Sequence, residues 1–227
     1  MKLRKLEIAL EKIEGFESPN VFFEQYKTPA TVAAPFLHMA FMSGDITGKT
    51  VYDFGCGTGI LSLGAALLGA KEVIGFDIDA GAVQTAEKNA ALFYEDIGSI
   101  DSDVETAGAN PAVRFVHSNV SDIPARISAG EFKRADTILM NPPFGAQEKG
   151  NDRPFLDAAI AAGTVIYSIH NKGSRGFVEK YIKPAVVTDC FIADFPIKKT
   201  FDFHKKEVQT IQVEIFRIEV SDASAEK

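Results

Sequence analysis

Cysteine is scarce: only Cys56 and Cys190 occur, 134 positions apart, which excludes a disulfide framework or a zinc knuckle and suits a reducing, cytoplasmic compartment. Both read as small packing residues rather than functional thiols. Positive charge is also in deficit. With 24 Lys and Arg against 31 Asp and Glu, the net charge of −7 argues against a chain that holds nucleic acid by bulk charge. No apolar run approaches the length of a bilayer crossing, and MKLRKLEIALEKIEGF at the start mixes charges with apolar residues. Internal repeats and linkers rich in Gly, Ser or Pro are missing as well. The 227 residues, 46% of them hydrophobic, are therefore expected to form one domain over 1–220, with a helical segment at 1–45, a core at 46–220 and a flexible tail at 221–227.

What is present is an alternation of strands and helices. Leu3, Leu6, Leu10 and Ile13 recur at helical spacing, predicting a helix over 2–14 closed by Gly15. A second, largely apolar helix is expected over 28–43, capped by Thr28, with Pro29 in its first turn, a kink at Pro35, and Met39 and Met42 in the core. Short apolar runs at Thr50–Phe54, Glu72–Asp77, Ala112–Val116, Asp136–Met140 and Thr164–His170 read as strands. Helical patterns follow them near 60–68, 79–93, 121–129, 154–162 and 174–182. This α/β alternation signals a parallel sheet. Ala185–Phe195 and Glu207–Glu219 read instead as two long strands forming an antiparallel edge. The stretch from Glu95 to Asn110, with five acids and no base, is expected to be a solvated loop.

Two motifs carry chemistry. In VYDFGCGTG a short strand runs into glycines at alternate positions and then into a helical pattern. Glycine permits the tight strand-to-helix turn and a close backbone approach to a ligand. Asp53 at the strand end suits a cationic amine better than a pyrophosphate. Asp77, closing the second strand in GFDIDA, stands near the spacing at which an acid bonds ribose hydroxyls. Asp79 is expected to cap the helix that follows. These features resemble the S-adenosylmethionine site of class I methyltransferases, in which Asp53 and Gly55 to Gly59 would wrap the methionine part and Asp77 would hold the ribose.

The second motif is Asn141-Pro142-Pro143-Phe144, at the end of the fourth strand. Open parallel sheets place their chemistry at the carboxyl ends of strands where the order reverses, so strands one and four would bring the tetrad beside the glycine turn. The lone pair of a nucleobase amine is delocalised into its ring. The Asn141 side-chain oxygen and the Pro142 carbonyl could each accept one amino hydrogen and favour a more pyramidal nitrogen. Two prolines stiffen the loop, and Phe144 offers a face for a base rotated out of its helix, a stack worth about 1–3 kcal/mol. No strong base is needed, since a sulfonium is already activated. His170 and His204 are accordingly given no catalytic role.

Taken in order, FEQYKTP at Phe23–Pro29, DFGCGTGILSLGAALLGA at Asp53–Ala70, GFDIDA at Gly75–Ala80, MNPPFG at Met140–Gly145, TVIYSIH at Thr164–His170 and FHKK at Phe203–Lys206 resemble the methyltransferase-like protein 5 family of small-subunit rRNA N6-adenine methyltransferases. The resemblance implies a Rossmann-like class I fold, a seven-stranded mostly parallel sheet with an antiparallel C-terminal edge. It implies that residues 1–45, through Gln25, Tyr26 and Thr28, close over S-adenosylmethionine. Asp53, Gly55, Gly57, Thr58, Gly59, Ile60 and Asp77 would bind it, Asn119 and Val120 would flank its adenine, and Asn141, Pro142, Pro143 and Phe144 would be catalytic. The family commonly has Asp at the position of Asn119, so that contact would use the amide oxygen. It also uses a small zinc-binding activator subunit over an exposed sheet edge. The tetrad alone leaves open a guanine 2-amino group or a protein glutamine as acceptor, and an RNA-docking module without turnover is the alternative of another class.

The charge deficit resolves by region. Residues 1–169 sum to −8, residues 170–206 to +4 and residues 207–227 to −3. Lys172, Arg175, Lys198, Lys199, Lys205 and Lys206 could meet RNA phosphates near the tetrad, with Phe201 and Phe203 stacking bases.

Overall fold

The computed structural model describes residues 1–16, 19–20, 23–100, 112–144, 150–198 and 208–221. Of the tail expected at 221–227, residues 222–227 lie outside them. Their sequence order is α1 (Leu3–Glu11), α2 (Ala30–Met42), β1 (Thr50–Phe54), α3 (Ile60–Leu67), β2 (Glu72–Asp77), α4 (Ala80–Ile100), β3 (Ala112–His117), α5 (Ile123–Ser128), β4 (Ala135–Met140), α6 (Arg153–Ala162), β5 (Gly163–Asn171), α7 (Arg175–Tyr181), β6 (Val186–Lys198) and β7 (Val208–Glu219). The strands form one sheet in the order β3-β2-β1-β4-β5-β7-β6. The first five run parallel, and β7 pairs antiparallel with both β5 and β6. The parallel core and antiparallel edge expected from the sequence are therefore both present.

Alternate residues of each strand point to opposite faces, so each face has its own core. Val51, Val73, Leu139, Tyr167 and Ile215 pack with α1, α2 and α3, while Tyr52, Ile74, Ile138, Ile166 and Phe216 pack with α5, α6 and α7. The order reverses between β1 and β4, whose register pairs Asp53 with Leu139 and Phe54 with Met140. That pairing sets the glycine turn and the tetrad side by side at the carboxyl ends of their strands.

Several expectations are corrected. α1 ends at Glu11 rather than near Gly15, although Ile13 is still buried. The cap position of α2 is Pro29, which makes no side-chain cap, and Thr28 instead accepts a hydrogen bond from Asn141. α2 continues past Pro35, which lacks the N–H for a helical bond back to Thr31; both residues are exposed, where the loss costs least. Met42 is not core: it is 69% exposed at the end of that helix. α4 runs to Ile100, through the first six residues of the stretch expected to be a loop. An established helix adds one hydrogen bond for each residue it fixes, which outweighs weak local preference.

Candidate active site

The turn after β1 is built on backbone that favours glycine. Gly55 and Gly57 have φ of +69° and +53°, and a Cβ at either would come within 3.0 Å of the ring of Phe155 or Phe16, respectively. The Gly57 amide donates to Asp77 Oδ2 (2.8 Å), and the Asp79 amide donates to Asp77 Oδ1 (2.9 Å). Asp77 is thus fixed between the turn and the start of α4, and each oxygen keeps a lone pair for a further donor. Burial raises its pKa. Asp79 Oδ1 accepts from the Gly81 amide, capping α4 as the sequence indicated.

Asp53 is 1% exposed. Its Oδ2 accepts from the amide and the hydroxyl of Ser62, at 3.0 and 2.6 Å, while its Oδ1 has no partner. Burial pushes its pKa up to about 7 against the opposing Ser62 bonds, and the charge of Asp77 adds to the rise.

The N-terminal strap crosses above this turn. Gln25 Nε2 donates to Asp79 Oδ2 (2.6 Å), and its Oε1 accepts from the Asn20 amide (2.8 Å). Before it, Glu24 has φ +50°, the one non-glycine in the left-handed region among the described residues, so strap backbone strain sits beside its clasp. Tyr26 packs its ring against Phe144 and Phe195, with centroids 5.6 Å away in each case, and buries its hydroxyl without a partner.

Between strap, turn and tetrad lies a cavity of about 300 Å³. Gln25, Tyr26, Thr28, Asp53, Gly55, Gly57, Thr58, Ile60, Asp77, Asn119, Val120, Asn141 and Pro143 all line it. Gly59 does not: it is the left-handed residue before α3 and turns the chain. Asn119 Oδ1 caps the short 3-10 turn at Val120–Asp122 through the Ser121 amide (3.0 Å), which leaves it one further lone pair.

The tetrad is oriented by the strap. Asn141 Nδ2 donates to Thr28 Oγ1 (2.9 Å), so Oδ1 is the atom left over, buried and unpartnered. Pro142 is buried, and Phe144 is half-buried against Tyr26 and Phe195, with its carbonyl held by Asn171 Nδ2 (3.1 Å). Among the described residues, Tyr26 Oη, Asp53 Oδ1 and Asn141 Oδ1 are the buried side-chain oxygens and nitrogens lacking any partner. A buried polar atom left alone costs about 1–3 kcal/mol, so three around one cavity mark a ligand site.

Sequence reasoning missed four contributors. Phe16 and Phe155 cover the glycines, Ser62 holds Asp53, and Asn89 ties Glu14 to Thr58. Ser62 alone had a signal, its position in the first turn after the motif. His170 is buried between Ser168 (2.7 Å) and Asp152 (3.4 Å), as befits a packed histidine. Of the proposed RNA contacts, Lys172 donates to Gln212 and Arg175 pairs with Glu179, both exposed. The Lys198 side chain and all of Lys199, Phe201, Phe203, Lys205 and Lys206 lie outside the description.

Comparison with known proteins shows the family. The family profile of ribosomal protein L11 methyltransferase matches residues 37–107, a stretch that contains β1, the glycine turn and β2 and ends before the tetrad. Whole-chain relatives are more informative. The rRNA N(6)-adenosine-methyltransferase Mettl5 of Drosophila melanogaster is 35% identical over 225 residues, covering 97% of each chain. Its namesake from Danio rerio is 34% identical, covering 96% of this chain and 98% of its own. Among solved structures, PH1948 from Pyrococcus horikoshii, described as an RNA methyltransferase candidate, superposes with a TM-score of 0.80. It is 38% identical and covers 97% of this chain and 99% of that one. The chain belongs to the Mettl5 family of rRNA N(6)-adenosine-methyltransferases.

Proposed function

We propose that this protein transfers a methyl group from S-adenosylmethionine to the 6-amino group of an adenine in small-subunit rRNA. The observation that carries the reading is the set of orphaned oxygens. Asp53 Oδ1 would take the cofactor's ammonium, Asp77 its ribose hydroxyls and Asn119 Oδ1 its adenine amine, with Val120 against the ring. Bound S-adenosylmethionine supplies an electrophilic methyl on a sulfonium. Asn141 Oδ1 accepts one hydrogen of the incoming adenine amine, and the Pro142 carbonyl accepts the other. Together they turn the nitrogen lone pair toward the cavity. Thr28 keeps the Asn141 amide from flipping, and the prolines keep both acceptors fixed. The methylated nitrogen is acidic and loses its proton to water, so no side chain acts as a strong base.

Two finer features belong to the same reading. Lys172 and Arg175, with the basic residues of 198–206, would meet RNA phosphates. A small zinc-binding subunit would cover an outer strand: β3 and β6 end the sheet, and β6 exposes Val186, Phe191 and Ile192. Two unpaired cysteines fit the cytoplasm, where ribosomes are made available to such an enzyme.

The test is product analysis. Purified protein, with labelled S-adenosylmethionine and undermethylated small-subunit rRNA, should yield N6-methyladenosine on nucleoside mass spectrometry. Label appearing in 2-methylguanosine or in protein glutamine would replace the substrate assignment.

A further inference from the structure

A second cavity, of about 230 Å³, shares Pro143 with the first and is walled by Phe144, Asp152, Arg153, Asn171, Ser174 and Phe177. Arg153 is its cation. The guanidinium lies over the rings of Phe177 and Tyr181, at 5.6 and 5.8 Å from their centroids. All seven arginines are described, and six of them give their guanidinium to a carboxylate or a carbonyl: Arg4, Arg114, Arg126, Arg134, Arg175 and Arg217. Of the seven, Arg153 alone has no such acceptor among the described residues.

The neighbouring acids are committed elsewhere. Asp152 faces His170 Nδ1 (3.4 Å), Asp157 accepts from the Tyr181 hydroxyl (3.0 Å), and Glu179 holds Arg175 (2.7 Å). A guanidinium set over two rings with no acceptor among the described residues has its N–H donors free, and such donors receive a phosphate in a fork. Ser174, whose side chain makes no cap bond to α7, lines the same cavity and brings a second donor to it. Asn171 holds the Phe144 carbonyl, so this cavity and the tetrad are mechanically one wall.

We infer that the second cavity receives an RNA phosphodiester flanking the target nucleotide, bound by the Arg153 guanidinium with Ser174 in support. A base rotated onto the tetrad stays covalently tied to its two phosphates, so one of them must arrive close to the Phe144 wall. The inference rests on the RNA reading above, and binding and turnover are therefore measured separately.

Full-length wild type, Arg153→Ala and Arg153→Lys are compared by anisotropy with a fluorescein-labelled single-stranded RNA. Methylation kinetics on small-subunit rRNA and calorimetry with S-adenosylmethionine complete the set. Arg153→Ala should weaken RNA binding and raise the RNA KM by about tenfold, with kcat and cofactor affinity within about twofold of wild type. Its log-log salt slope should fall by about 0.7, the share of one single-strand phosphate, and Arg153→Lys should restore most of that slope. A folded Arg153→Ala with unchanged RNA affinity and slope overturns the inference, as does an equal loss of cofactor affinity. Wild type that binds RNA without methylating adenine overturns the substrate reading while leaving the Arg153 comparison decisive.

Discussion

At the scale of residues, Asp53 as the proposed partner of the cofactor's amine would couple cofactor binding to pH. Its carboxyl is raised to about 7, above its unfolded value of 3.8, so the folded chain binds the extra proton. That contribution to stability is complete below the unfolded value and is lost as pH rises through about 7. A cationic amine needs the ionised form. Affinity for S-adenosylmethionine should therefore increase from pH 5 to 7, by up to about tenfold per unit, with proton release visible as a buffer-dependent heat in calorimetry. Asp53→Asn should flatten that profile, bind the cofactor weakly throughout, and melt at a higher temperature than wild type at pH 8. A pH-independent wild-type affinity would count against Asp53 as the amine partner.

In the proposed reading, Asn141 and Thr28 would act on chemistry rather than on cofactor binding. Asn141→Ala removes one of two acceptors and should lower kcat about 10²–10³-fold, with cofactor affinity changed little. Thr28→Val leaves the acceptor in place but frees the amide to turn, so a smaller fall in kcat, about tenfold, is expected from single-turnover rates. Equal losses in the two variants would show that Thr28 does more than orient Asn141.

At the scale of elements, the strap and α4 make one clasp over the glycine turn. The Asn89 side chain donates to the carbonyls of Glu14 and Thr58 (3.1 and 2.9 Å) and accepts from the Glu14 amide (3.1 Å), all while buried. Asn89→Ala should cost about 2–3 kcal/mol in urea unfolding, since it strands buried backbone partners. Gln25→Ala breaks the strap's link to Asp79 and should weaken cofactor binding several-fold, with little change in kcat at saturation.

The same elements show what could be read in advance. β1, β2 and the turn between β1 and α3 were legible because alternating glycines between an apolar strand and an apolar helix leave few conformations open. Phe16, Phe155 and Asn89 were not, because their partners lie 41, 100 and 31–75 positions away and only the packed sheet unites them. Thr28 shows a third case: its residue type suits a cap, yet the buried amide of Asn141 claims its oxygen.

At the scale of the whole molecule, an acidic chain with a local basic stretch has to bind RNA through few contacts. The RNA KM of wild type should therefore rise only moderately between about 50 and 200 mM salt, less than the 10³–10⁵-fold expected for a protein with 6–10 phosphate contacts. A slope that steep would mean that the net charge misrepresents the RNA surface. The sheet order carried the larger lesson. By setting β1 beside β4 it brings two motifs about eighty residues apart into one cavity, and neither motif alone identifies the acceptor.

The central claim, methylation of adenine in small-subunit rRNA through the Asn141 tetrad, is tested most directly by nucleoside mass spectrometry of that RNA from cells lacking this protein. N6-methyladenosine should be lost, restored by the wild-type chain and not by Asn141→Ala. Unchanged N6-methyladenosine in the deletion, or full restoration by Asn141→Ala, would contradict the account.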